Sequence, residues 1–184
     1  MTGRSHLLVG LAGVWLVDAA TGFASQAAGG WVPAGPLALG AALAAGAVGA
    51  LLPDIDNPNS QISHRTGLAR RRGPLTDLVA GGARSLFGGH RGFTHSALVV
   101  GLLSLAVFAV RPWLGAAAVG FLIGYLSHIA ADMVTRDGVR LGWPLSRHEI
   151  GLGPRRLRFR TGSFMEYVVV AGVCALAVWQ WWTP

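Results

Sequence analysis

The sequence predicts an all-α, polytopic integral membrane protein of about five transmembrane helices, with two polar segments on the cytoplasmic side. Three observations point there. Of 184 residues, 52% are hydrophobic and only 12% are charged, where a soluble globular domain carries about 25% charged residues. The apolar residues fall into separate runs, most of them close to the roughly 20 residues that a membrane-crossing helix needs. The basic residues, all 15 of them Arg, gather in the stretches between those runs. The length corresponds to one domain, read as a single membrane-embedded unit over residues 1–184.

The first expected helix runs from about Ser5 to Phe23. No small-residue cleavage pattern follows it closely, so it reads as a retained span and not a leader. After a Gly/Pro-punctuated loop, the second runs from about Leu37 to Leu52 and stops at Pro53. It is short for the hydrocarbon core, and either its flanks extend it or the bilayer thins around it. Its Gly and Ala at nearly every turn permit close helix contact. Pro53 to Phe93 is the first polar segment, with six Arg and an amphipathic stretch from Thr76 to Phe87 suited to the membrane surface. The third helix is expected from about Thr94 to Val110, capped by Thr94 or Ser96. Arg111-Pro112 reads as a tight turn into a fourth helix, from about Trp113 to Val134. Thr135 to Gly162 is the second polar segment, with seven Arg, and a fifth helix from about Ser163 ends in Trp179, Trp181 and Trp182, an interfacial belt.

With five spans, fourteen Arg fall on one side and only Arg111 on the other. The positive-inside rule then puts the N-terminus and both polar segments in the cytoplasm and the C-terminus on the opposite side. The basic excess is thereby accounted for by topology, and nucleic acid is not expected as a partner. The single cysteine, Cys174, excludes an intrachain disulfide or a thiolate metal site and reads as a small helix residue.

The same topology gathers ionisable groups at one face. His6 opens the first helix. Asp54 and Asp56 follow the second, His90 and His95 precede the third, His128 and Asp132 end the fourth, and Glu166 opens the fifth. His128 and Asp132, at i and i+4, share a helix face. Each piece alone has an ordinary explanation as a helix stop, a cap or a hydrogen-bonded pair. Eight imidazole and carboxylate groups at one depth form a donor set for divalent metal, zinc first, with manganese or iron as alternatives. They exceed one tetrahedral shell, so one to three ions are expected, with Asp54 or Asp56 bridging. Arg91, Arg136 and Arg140 are placed to hold a phosphate. His64 and His148 read as solvent-exposed bystanders.

These residues carry a resemblance. SHLLVG near the start, LLPDID, GHRGFTHS, GYLSHIAADMVTRDGVRLGWP and a late Glu opening the last helix resemble, over most of the chain, the YdjM-like inner-membrane proteins. That family is described as metal-dependent hydrolases, some under LexA control, and is thought to be distantly similar to zinc phospholipase C and the zinc-dependent single-strand nucleases. The resemblance implies metal ligation by His6, Asp54, His90, His95, His128 and Asp132, with Asp56 and Glu166 as further members. The expectation is a hydrolase cleaving a lipid phosphoester at the cytoplasmic interface by metal-activated water. Asp54 or Asp56 would orient or deprotonate that water and Arg91 would bind the phosphate, with membrane lipid as the substrate partner. The alternatives are a metal transporter, a non-catalytic membrane protein that uses the cluster to hold its helices, and a membrane-bound nuclease.

Overall fold

The computed structural model describes residues 1–26, 34–56 and 92–183, and of Ile55 and Asp56 the backbone alone. The stretch from Thr76 to Phe87, with His64, His90 and Arg91, lies outside the described residues. Five long helices make up the bundle: α1 (Gly3–Thr21), α2 (Pro36–Leu51), α3 (Ala97–Leu114), α4 (Ala116–Met133) and α5 (Phe164–Trp182). Two isolated bridges, Thr135 with Phe159 and Val139 with Ile150, are the only extended pairings among the described residues.

Among the described residues, four helical segments are long and apolar enough to cross a membrane: Pro36–Asp54, Ala97–Leu114, Ala116–Met133 and Phe164–Trp182. The bundle agrees with the expected all-α membrane protein of about five spans, with α1 less apolar than the other four helices. At 19 residues α1 is long enough, but Arg4, His6 and Asp18 lower its apolarity. It packs against α2, α4 and α5 and buries Ser5, His6, Gly10, Ala12 and Val14. The second α-helix ends at Leu51, just ahead of Pro53 as expected. Its backbone continues as a tighter 3-10 turn over Leu52–Asp56, which brings the span to 19 residues. The turn between α3 and α4 is displaced from its expected place. Pro112 lies within α3, and the reversal occurs at Gly115, whose φ of 53° is open to glycine at little cost.

The helices are capped by their own sequence. Thr2 caps α1 by accepting from Ser5 N, and Ser96 caps α3 by accepting from Val99 N at 3.3 Å. The lipid-facing character of the outer helices is plain from exposure: α3 buries no residue, and Leu105 and Phe108 are 68% and 76% exposed. Apolar side chains of this kind are stable where the surroundings are hydrocarbon, not water.

The closest seam joins α2 to α4. A Cβ built on Gly124 would run into the backbone carbonyl of Gly46, so these helices touch backbone to backbone, as small residues allow in membranes. The far half of the bundle is filled by Val14, Ala38, Ala42 and Ala116 with Leu39, Leu43 and Ile123. The near half holds Tyr125, Ile129 and Val139. Because Gly124 meets backbone, which cannot rotate away, Gly124→Ala should destabilise the protein by about 1–3 kcal/mol. Gly101→Ala, where the added carbon meets nothing within 4 Å, should leave the unfolding midpoint unchanged or raise it. Thermal unfolding of both variants in detergent micelles checks this pair.

Candidate metal centre

Five of the expected ligand residues converge at one end of the bundle. His6 comes from the first turns of α1, Asp54 from the turn after α2, His95 from the turn Phe93–His95 before α3, and His128 and Asp132 from the end of α4. Each is buried. Two groups of three ligand-type atoms form, His6 with Asp54 and His128, and His95 with His128 and Asp132, every atom of a group within 4.8 Å of the others. His128 belongs to both.

Asp132 is the hub. Its Oδ1 lies 2.5 Å from the Met1 amine and 3.2 Å from His6 Nε2. Its Oδ2 lies 3.5 Å from His95 Nε2 and 3.8 Å from His128 Nε2. His128 Nε2 is also 3.8 Å from Asp54 Oδ1 and 3.3 Å from His95 Nε2. The His6 and His128 rings stack at a centroid distance of 3.6 Å, 11° from parallel.

The supporting shell orients the imidazoles. His128 Nδ1 lies 2.7 Å from the carbonyl of Ala50, in the last turn of α2. A carbonyl only accepts, so Nδ1 carries the proton and the Nε2 lone pair faces the cluster, the arrangement that metal-ligating histidines adopt. His95 Nδ1 is 3.0 Å from the Thr94 hydroxyl, and the Thr94 carbonyl in turn accepts from Tyr125 Oη. His6 is different: its two ring nitrogens are buried with no hydrogen-bond partner among the described residues, and its approach to Asp132 lacks hydrogen-bond geometry. A buried imidazole whose ring nitrogens make no hydrogen bond is costly. A divalent ion accepting the lone pair would remove that cost, and the nitrogen and oxygen donors fit zinc, manganese or iron.

The remaining expectations fare differently. Glu166 is fully buried and lies beside the cluster, yet it stands outside both ligand groups. Its Oε1 accepts from Thr2 N at 2.7 Å and its Oε2 from Gly162 N at 2.8 Å. The carboxylate is thus committed to backbone donors and ties the start of α1 to the start of α5. Arg136 and Arg140 lie just past the cluster, in the segment after α4. Arg140 pairs with Glu149 at 3.3 Å, and Arg136 Nε donates to the Arg158 carbonyl. His148 is exposed, as expected. The side chain of Asp56, and both His90 and Arg91, lie outside the described residues. Sequence reasoning missed the Met1 amine, the Ala50 carbonyl and Tyr125. Of these only Tyr125, one turn before His128 on the same helix, left a signal.

Comparison with known proteins agrees with the whole-chain resemblance. Residues 1–183 match the family described as YdjM inner membrane protein. The chain is 34% identical over 195 aligned residues to inner membrane protein YdjM of Escherichia coli K12, covering all of this chain and 83% of that one. It is 33% identical over 173 residues to the uncharacterized protein YvsG of Bacillus subtilis 168, covering 94% of this chain and 89% of the relative. No solved structure matches significantly. A membrane bundle with a ligand-type cluster at one end, matched along its whole length, therefore belongs to the YdjM inner membrane protein family.

Proposed function

We propose that this chain is a membrane-embedded, metal-dependent hydrolase that cleaves a lipid phosphoester at the cytoplasmic face of the inner membrane. The observation that carries the reading is the convergence of three buried imidazoles and two carboxylates on one end of the bundle, with the His128 tautomer set by Ala50. A structural salt bridge needs no third histidine. The orientation rests on the Arg asymmetry, and the choice of a lipid rests on the cluster lying at helix ends, where headgroups meet the protein.

A divalent ion held there, zinc by donor type, would supply Lewis acidity toward water and toward the phosphoryl oxygen. The chain supplies the rest. Asp132, fully buried, and His95 and His128 hold the centre. Asp54, whose side chain is 12% exposed while those of Asp132, His95 and His128 are at 0%, lies on the approachable edge. It orients the attacking water and accepts its proton. Arg91, four residues before His95, contacts the phosphate, with Arg136 and Arg140 as further candidates. Attack of water oxygen on phosphorus breaks the phosphorus–oxygen bond to the leaving alcohol, which takes up the proton.

Elemental analysis of the purified chain should find about one divalent ion per polypeptide or more. His95→Ala and Asp132→Ala should lower metal affinity by more than the roughly 10–100-fold lost with a supporting residue. Metal near zero in the folded wild type would sink the reading. Glu166→Gln separates a cap from a ligand: it should keep the metal content and lower stability by about 1–3 kcal/mol, because one oxygen acceptor becomes a donor facing a backbone N–H.

For turnover, Asp54→Asn should retain metal while losing about 10²–10⁴ in kcat on phospholipid vesicles, the range for removing a general base. Equal or faster cleavage of short single-stranded DNA than of phospholipid would instead favour a nuclease.

A further inference from the structure

The segment after α4, from Val134 to Ser163, returns the chain to α5 at the end of the bundle that holds the cluster. Backbone hydrogen bonds pin it there. Leu152 N donates to Met133 O at 2.8 Å, and Ala97 N donates to Leu141 O at 2.9 Å. Gly162 N donates to Glu166 Oε2. Between these pins lie seven Arg and two acids, Asp137 and Glu149.

Three of the arginines serve the loop itself. Arg140 pairs with Glu149, Arg158 donates to the carbonyls of Gly151 and Gly153, and Arg136 bonds the Arg158 carbonyl. The other four, Arg147, Arg155, Arg156 and Arg160, are exposed. They have no ion pair or side-chain hydrogen bond among the described residues. Large apolar side chains stand among them. Leu145 is 98% exposed, Leu157 77% and Phe164 79%. Arginines without acids, interleaved with exposed leucines, are ill-suited to bulk water. They suit an interface where guanidinium meets phosphate and the aliphatic side chain enters the acyl boundary.

We propose that this segment is a docking surface for anionic lipid headgroups, bordering the metal centre. The occupant follows from charge complementarity and from continuity, since the segment ends on α5, whose Phe164, Met165 and Val168 present an exposed apolar flank. Single-stranded nucleic acid is a poorer fit, because its bases stack on aromatic rings and the side chains offered here are mainly leucine. The inference goes beyond the hydrolase reading and does not depend on metal or turnover.

The test uses the full-length chain in detergent micelles with equimolar phosphatidylglycerol and phosphatidylcholine, the retained lipid being counted by mass spectrometry. The wild type should retain phosphatidylglycerol over phosphatidylcholine by about tenfold or more, and added salt should shrink that ratio. Combined Arg147→Gln, Arg155→Gln, Arg156→Gln and Arg160→Gln should bring the ratio near one. Leu145→Ser with Leu157→Ser should weaken retention of both lipids. Equal retention by the wild type, an undiminished ratio in the four-Arg variant, or a ratio insensitive to salt overturns the proposal. At fixed ionic strength, displacement of the lipid by inorganic phosphate or by short single-stranded DNA also overturns it. An inactive hydrolase would show itself by absent metal or turnover while the lipid ratio stayed intact.

Discussion

A carboxylate buried at the end of an apolar helix has to be answered, and the answer to Asp132 organises the bundle. On α4 itself the one group able to answer the charge is His128, whose Nε2 stands 3.8 Å from Oδ2. The closer partners come from elsewhere: the Met1 amine at 2.5 Å, His6 at 3.2 Å and His95 at 3.5 Å. An uncompensated buried charge costs several kcal/mol. That penalty holds the start of α1 and the turn before α3 at the same depth as the last turn of α4. The glycine seam between α2 and α4 belongs to the same constraint. Only because those helices touch does the Ala50 carbonyl come within 2.7 Å of His128 Nδ1. Separating them by the thickness of a methyl group would release that imidazole and lose its tautomer.

Glu166 shows how similar residues divide at one depth. Like Asp132 it is a fully buried acid at a helix end, but its environment is made of neutral donors, backbone N–H groups together with the Ser5 and Thr2 side chains. Two of the N–H groups, from Thr2 and Gly162, take one oxygen each. Asp132 is faced by imidazoles and an amine, groups that share their partners with a metal ion. The difference lies in what surrounds each acid, not in the acids themselves, and it separates a strut from a hub.

That difference also marks where the sequence stopped being legible. Helix ends are written locally, in Ser96 as a cap, in the Gly/Pro breaks and in apolar runs. The depth of His6, Asp54, His95, His128 and Asp132 could therefore be read before any contact was known. Thr2 lies 164 residues from Glu166, and no local pattern announces that pairing. The α3–α4 turn misled for a physical reason: Pro112 removes one N–H near a helix end, which the helix tolerates, while the reversal needs the positive φ of Gly115. The amphiphilic segment after α4 has no period to detect, because its order comes from single bridges such as Val139 with Ile150.

The position of the cluster bears on what kind of protein can use it. Passage across a membrane asks for ligands near the midplane, with polar groups leading both ways. Here the path beyond His6 and His128 runs into Val14, Ala38, Ala42 and Ala116, with helices in backbone contact at Gly124 and Gly46. Among the described residues nothing polar continues through that seam, and Asp18, at the other end of α1, is engaged by the Ala24 N–H at 2.8 Å. Among the described residues, the cluster is approachable from the end where Asp54 is partly open and the arginine-rich segment stands. A sealed far side and a charged near side favour chemistry on a molecule presented at that surface over passage through the bundle. They also give the exposed arginines a part in the proposal, because a headgroup held by them sits at the same end as the edge of the cluster where, among the described residues, Asp54 is partly open.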